Sequence, residues 1–285
     1  MITRGIGTIA KGMQAMIDFQ DVTAHNLANV TTEGFKKTKV TFQDILQAGV
    51  LEKATKNNDK KDVGSLSIGS RIDRTYIDFS QGSLTPSDRN LDVAFQGDGF
   101  FKIRYRDIPD KAPYSEKNYY YERNGHFKLD DENYLINREG DYIMDMKDRR
   151  IRITRDPDAD DLNEMNRFDL IKDILISENG QIELNAPNFK VTLQKIKVCD
   201  FDDKTKISGI GQGKYLPIYG ENPGLHVKKD GTFNMQQGYN EASNANVINE
   251  MINTINISRG YETMSNMLRA QSESLQGVIS LGNLS

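Results

Sequence analysis

The sequence predicts an α+β fold in which N- and C-terminal helices pair as a coiled coil, with a mostly antiparallel β domain inserted between them. Apolar residues recur at alternating intervals of three and four near both ends of the chain, which is the spacing of a helical seam. In the middle of the chain, apolar and polar residues alternate with a period of two. Short strands without long helices between them favour an antiparallel sheet.

A helix is predicted at the N-terminus, from near Thr3 to about Asn29. It should end there because Thr31-Thr32-Glu33-Gly34 combines β-branched residues with a terminating glycine. The seam of this helix is apolar at both ends and polar at Gln20 and Thr23. Its apolar members are Ile6, Ile9, Met13, Met16 and Leu27.

A second helix is predicted from near Asn244 to Ser280. Upstream of the seam, its apolar face is widened by Ile248, Met251, Ile252 and Ile255. A lone helix with so narrow a stripe buries it poorly, so the helix needs a partner. Two surface helices, each packed on its own domain, are the simpler alternative, but similar seams at both ends favour pairing. The seam members are Ile257, Tyr261, Met264, Leu268, Gln271, Leu275 and Val278.

Four asparagines are spaced three, four and three residues apart on one face of this helix: Asn246, Asn249, Asn253 and Asn256. Asparagine is a mediocre helix former, so the row costs some helix propensity. The row is either a solvated face or a set of amides that hydrogen-bond between subunits and fix the register of the helices.

The middle of the chain predicts strands and tight turns. Leu91, Val93 and Phe95 alternate with polar or small residues, and hairpins are predicted over residues 125–136 and 174–184. Four segments follow from these patterns and agree with a length of 285 residues. They are an N-terminal helical part (1–46), an extended connecting segment (47–83), a β-rich outer domain (84–235) and the C-terminal helix that completes the helical domain (236–285).

Composition argues against most chemical functions. The net charge of −4 disfavours nucleic-acid binding, and no apolar run approaches the ~20 residues that cross a bilayer. The start of the chain lacks the apolar core of a cleaved signal peptide. Cys199 is the single cysteine, and the three histidines lack metal-ligand spacing. We therefore predict no catalytic residue, no cofactor, no metal site and no membrane insertion.

Four blocks of sequence, in order along nearly the whole chain, carry a family resemblance. They are Asn26–Lys37, Leu91–Phe101, Tyr121–Phe127, and Glu241–Ile252 with its continuation to Arg259-Gly260-Tyr261. Together they resemble the bacterial flagellar rod and hook proteins. The motif residues are Asn26, Leu27, Ala28, Asn29, Gly34, Phe35, Lys36, Leu91, Asp92, Gly97, Gly99, Phe100, Phe101, Asn244, Arg259 and Tyr261.

Within that family, the length and the single β domain resemble the basal-body rod proteins rather than the larger hook protein. The charged stretch after Leu51 is similar to that of the distal-rod, FlgG type. Departures at Phe95, Met264, Asn266 and Ser272 instead favour the proximal-rod, FlgF type.

The resemblance implies a structural subunit of the flagellar basal body, exported unfolded through the flagellar type III apparatus without a cleaved signal peptide. It implies assembly in the periplasm, with copies of itself, other rod proteins and hook-side neighbours, into a tube that transmits torque. The seam residues, the Asn row, Met251 and Ile255 would then form the assembly interface. The alternative is a periplasmic glycan-processing enzyme or glycan-binding protein, and the enzyme would need two carboxyl groups about 5–9.5 Å apart.

Overall fold

The computed structural model describes residues 2–47, 66–109, 115–153, 174–186, 189–211 and 213–282. Helix α1 spans Ile2–Ala28 and helix α2 spans Val247–Gly282, within about three residues of the predicted ends. Mostly antiparallel strands lie between them, so the α+β class is confirmed. The strands are β1 (Thr38–Gln47), β2 (Leu66–Ile77), β3 (Leu84–Pro86), β4 (Val93–Gln96), β5 (Phe100–Arg104), β6 (Tyr119–Glu122), β7 (Lys128–Leu129), β8 (Leu135–Ile136), β9 (Tyr142–Ile143), β10 (Ile174–Ile176), β11 (Gln181–Ala186), β12 (Phe189–Lys195), β13 (Val198–Phe201), β14 (Ile207–Gly211), β15 (Lys214–Pro217), β16 (Leu225–Val227), β17 (Asn234–Gln237) and β18 (Tyr239–Glu241).

The chain forms two compact units. The helical unit contains Met1–Ala28, Thr38–Tyr76 and Asn246–Ser285, and the β unit contains Asn29–Lys37 and Ile77–Ala245. The units therefore divide the predicted connecting segment, of which residues 48–65 lie outside the described residues. Residues on both sides of the predicted β domain belong to the β unit because their backbones are hydrogen-bonded there, as described below.

In the helical unit, α1 packs against α2. The two helices run antiparallel, since Gly12 lies beside Met264 whereas Gly260 lies beside Met16. Because glycine has no Cβ, the methionine side chains approach the facing backbone closely. A Cβ added at Gly12 would lie only 3.1 Å from Met264 Sδ. The apolar members of the predicted α1 seam are half-buried, whereas Thr23 of the seam is buried and Gln20 is exposed. Among residues 5–28 of α1, the other buried positions are Gly12, Ala15 and Asn26.

Strands β1 and β2 form a two-stranded sheet in the helical unit. The ring of Phe42 on β1 meets Phe19 of α1 edge to face, with centroids 5.5 Å apart. At the start of β1, the side chain of Asn26 pairs with the backbone of Thr38. Its Oδ1 accepts from Thr38 N at 2.9 Å and its Nδ2 donates to Thr38 O at 2.9 Å. The Asn26 amide therefore makes the two backbone hydrogen bonds that a neighbouring strand would make with Thr38.

The β unit is built from several sheets. The largest has nine strands, with the order β14-β15-β6-β5-β9-β8-β7, and β13 pairs with both β5 and β16. Strands β10, β11 and β12 form a second sheet, whereas β17 pairs with β4 and β18 pairs with β3. The two predicted hairpins are confirmed as the antiparallel pairs β7–β8 and β10–β11.

Apolar clusters cover both faces of β5. Phe101 and Ile103 belong to one cluster and Phe100 belongs to the other. The predicted alternation of buried and exposed residues therefore fails here, and Lys102 is buried on the same strand. Its Nζ lies 2.7 Å from Asp148 Oδ1, so the buried charge is paired.

The close approach of Gly125 to β4 generates a testable prediction. A Cβ at residue 125 would overlap the backbone carbonyl of Val93, whose own N–H donates to Gly125 O at 3.0 Å. Gly125→Ala should push β4 away from residue 125 and lower the free energy of unfolding of the β unit by about 2–3 kcal/mol. Chemical denaturation measures this loss.

Gly7→Ala is the matched control, because Gly7 lies in α1 with no atom within 4 Å of the added Cβ. This variant should leave the unfolding of the β unit unchanged. Equal effects of the two substitutions would contradict the steric account.

Candidate assembly interface

The segment that follows α1 and the segment that precedes α2 lie side by side in the β unit. Gly34 N donates to Glu241 O at 2.7 Å, and Asn244 N donates to Phe35 O at 3.4 Å. The side chain of Asn244 adds further bonds: its Oδ1 accepts from Lys37 N and its Nδ2 donates to Asp78 O, both at 2.7 Å, and Nδ2 also donates to Ser80 O and Oγ. Three stretches of chain that are distant in sequence are thereby held together.

A buried ion cluster joins these segments to the sheet. Glu241 Oε1 lies 2.6 Å from Lys36 Nζ, and Glu241 Oε2 accepts from Arg123 Nε at 2.8 Å. The remaining donors are also used, since Arg123 donates to the carbonyls of Gly97 and Gly99. All three charged side chains are almost completely excluded from solvent. Two cations therefore depend on one carboxylate.

The electrostatics of Lys36 reflect this environment. Burial and the Arg123 guanidinium lower the pKa of Lys36 to about 8, against the opposing influence of Glu241. The ammonium remains largely charged at pH 7 because its pKa lies above that value. Lys36 Nζ also donates to Ser80 O at 2.7 Å.

A second polar group lies around Asp92. Its Oδ2 accepts from Ser87 Oγ at 2.5 Å and from Asn240 Nδ2 at 3.0 Å, and Asn240 Nδ2 also donates to Glu33. His126 Nδ1 lies 3.1 Å from Asp92 Oδ1, and burial lowers the pKa of His126. Residues from all four family blocks thus participate in the two groups.

The motif residues differ in their placement. The buried ones are Asn26, Gly34, Phe35, Lys36, Leu91, Asp92, Gly99, Phe100 and Phe101. Leu27, Asn29 and Asn244 are half-buried, whereas Ala28, Gly97, Arg259 and Tyr261 are exposed. Most of the motif therefore builds the subunit, and its exposed members on α2 are available to other molecules.

The first turns of α2 expose an apolar stripe. The exposed fractions are 68% for Ile248, 51% for Met251, 50% for Ile252 and 51% for Ile255. Their spacing of three, one and three residues places them on one face of the helix. Burial of such side chains is favourable, so this face is a candidate contact for another molecule.

The other predicted interface residues are divided between the helix pair and the surface. Ile257 is buried, whereas Ile6, Ile9, Met13, Met16, Leu27, Met264, Leu268 and Leu275 are half-buried. The side chain of Val278 lies outside the described residues.

The asparagine row is not uniform. Asn246 precedes α2, and its Oδ1 accepts from Asn249 N at 3.1 Å, which makes it the N-cap of the helix. Asn253 is half-buried and donates to Glu250, whereas Asn249 and Asn256 are exposed.

Among the described residues, no three His, Cys, Asp or Glu side chains are arranged to hold a metal ion. In that same part of the chain, neither helix combines the length and apolarity required to span a bilayer.

Sequence reasoning missed the ion cluster. Lys36 was recognised within the family motif, but nothing in its spacing indicated Glu241 or Arg123 as partners, since they lie far away along the chain. The only available signal for the cluster was that three of the four family blocks contain a lysine, an arginine and a glutamate, one in each block.

Loss of the Glu241 charge should destabilise the β unit strongly. Glu241→Gln would remove the buried carboxylate that pairs with Lys36 and Arg123, and would leave Arg123 only the exposed Asp98 at 4.0 Å. The free energy of unfolding should therefore fall by about 3–5 kcal/mol. Chemical denaturation of the purified chain measures the effect.

Lys206→Ala is the control, because the Lys206–Asp203 pair is solvent-exposed and its loss should affect stability little. A loss in Glu241→Gln no greater than that in the control would show that the cluster is not needed.

Comparison with known proteins agrees with this arrangement. Residues 94–184 match the family model "Flagellar hook protein FlgE/F/G D1 domain", and residues 236–281 match "Flagellar basal body rod FlgEFG protein C-terminal". The FlgG rod proteins of Borreliella burgdorferi and Buchnera aphidicola subsp. Acyrthosiphon pisum are 28% and 27% identical, over 96% and 93% of this chain and 97% and 94% of their own lengths. That of Bacillus subtilis is 25% identical over 96% of this chain and 98% of its own length.

These relatives are named FlgG, so they do not support the preference for the FlgF type drawn from single residues of the sequence. They do cover both units described above. Residues 94–184 and 236–281 therefore carry domains of the FlgE/FlgF/FlgG family of flagellar rod and hook proteins.

Proposed function

We propose that the chain is a structural subunit of the bacterial flagellar basal-body rod, which assembles through its terminal helices into a helical tube and transmits motor torque to the hook. The apolar stripe on α2 carries this proposal, because α1 leaves it exposed within the subunit. The relatives named rod proteins match this chain over nearly their whole length. A structural role also agrees with the family names, which describe no enzyme.

The helix pair is the proposed building block of the tube. The antiparallel contact of α1 with α2 supports a short coiled coil in which Met16 and Met264 fill the spaces beside facing glycines. The half-buried residues that flank this contact would then be covered by neighbouring copies. A heterologous contact that repeats without closing a ring produces a filament, which is the geometry of a rod.

Burial provides the driving force for assembly. Covering ~1,000 Å² of apolar surface contributes roughly 25 kcal/mol before losses. Ordering the helices and immobilising the subunit offset much of this gain. Assembly should therefore depend on several neighbours contributing contacts at once.

The position in the basal body is proposed from the relatives. Their shared name favours the distal-rod, FlgG type over the FlgF type. Partners would then be copies of this chain, other rod proteins and hook-side neighbours. Export through the flagellar type III apparatus, unfolded and without signal-peptide cleavage, and assembly in the periplasm belong to the same proposal.

Removing the apolar stripe tests the function. The variant Ile248→Ser with Ile252→Ser should fold normally, because both side chains are exposed in the subunit, but should not enter rods. We expect at least a tenfold loss of incorporation in isolated basal bodies, with loss of motility, since a 1.4 kcal/mol loss per contact is already tenfold.

The matched control is Leu175→Ser with Ile210→Ser, an equally conservative removal of exposed apolar groups from the β unit. This control should incorporate like the parent chain. Normal rods from the α2 variant would contradict the proposed role of the stripe.

The asparagine row needs a separate test, in which Asn246 is kept because it caps α2. Replacing Asn249, Asn253 and Asn256 with Ala should favour helix formation and weaken self-association if the amides bond between subunits. Self-association is followed by sedimentation and negative-stain microscopy. Unchanged self-association would assign the row to a solvated face.

A further inference from the structure

A carboxylate cluster in the β unit lies away from the ion cluster around Glu241. Glu122, on β6, is buried, and its Oε2 accepts a hydrogen bond from Asn137 Nδ2 at 2.9 Å. The same Nδ2 donates to Tyr120 Oη at 2.8 Å, and Tyr120 Oη donates to Asp141 Oδ2 at 2.7 Å. Glu122 and Asp141 are therefore connected through an amide and a phenol.

The cluster has more negative than positive charge. Glu122 pairs in register with Lys214 of β15 and with Phe101 of β5. The Lys214 ammonium contacts Glu139 and lies 3.5 Å from Asp141 Oδ2. Three carboxyl groups thus face one ammonium ion.

The charged groups whose electrostatic field reaches the Glu122 carboxyl group come from two neighbouring parts of the chain. Lys214 comes from β15, Glu139 and Asp141 come from the turn between β8 and β9, and β5 contributes the apolar Phe101. Tyr120 adds a buried phenol on β6, and burial raises its pKa. Protonation of one carboxyl group would relieve the imbalance without a further cation.

We propose that Glu122 is a proton-binding site of the folded β unit, occupied in mildly acidic surroundings, and that its ionisation sets a buried negative charge against the nearby carboxylates of Glu139 and Asp141. The β unit is then stabilised by protons. This inference concerns the stability of one unit and does not depend on the role in the rod.

The titration agrees with the geometry. Burial, opposed by the Asn137 hydrogen bond and assisted by Glu139, raises the pKa of Glu122 from 4.5 to about 7. Between these values the folded chain binds a proton that the unfolded chain has lost. Stability should therefore be highest below about pH 4.5 for this group and should fall as the pH rises to about 7.

Glu122→Gln tests the proposal, because the amide keeps the shape and cannot ionise. Between pH 5 and pH 8, the unfolding equilibrium constant of the parent chain should rise about a hundredfold more than that of the variant. Denaturant titrations at several pH values measure the difference. The control is Glu178→Gln, an exposed carboxyl group in the β unit, which should behave like the parent chain.

A direct titration covers the case in which the variant does not fold. In the parent chain with ¹³C-labelled glutamate, the Glu122 carboxyl signal should shift with a midpoint near pH 7. A midpoint below pH 5 would overturn the proposal. So would parallel pH profiles of unfolding for the parent chain and Glu122→Gln.

Discussion

The buried carboxylate of Glu241 is the interaction on which the rest of the structure depends. It binds Lys36 from the segment after α1, Arg123 from the central sheet and the backbone of Gly82. Its own backbone oxygen accepts from Gly34. One residue therefore connects the point where the chain enters the β unit with the point where it leaves. A buried charge set of this kind is strongly destabilising when one partner is removed.

Carboxamide side chains of Asn and Gln form hydrogen bonds with backbone N–H and C=O groups at the open edges of strands. Asn244, in the β unit, accepts a hydrogen bond from Lys37 N, and Asn26, in the helical unit, accepts one from Thr38 N. Gln237 accepts from Ile176 N and donates to Ile174 O, while Gln81 bonds Phe95 O and Gly97 N in the same manner. Each amide supplies one donor and one acceptor, as a neighbouring strand would, and so satisfies an otherwise open edge.

The sequence predicted elements that are governed by local periodicity and turn chemistry. Both helices and the hairpin at Asn179-Gly180 are examples, because their signals lie within a few residues. It failed where burial is decided by distant chain. Lys102 is polar and follows apolar residues on β5, yet it is buried, because apolar clusters cover both faces of that strand. In α1, close contacts with α2 are made at Gly12 and by Met16, so a glycine that apolar periodicity does not count takes part in the packing.

Under the proposed function, the β unit is complete in itself, whereas the helical unit would be completed by neighbouring subunits. Hydrogen exchange of the dilute monomer, compared with assembled rods, tests this division most directly. We predict strong protection of the Gly34 and Gly82 amides in both states, and protection of residues 248–256 only after assembly. Equally strong protection of these α2 amides in the dilute monomer would contradict the account.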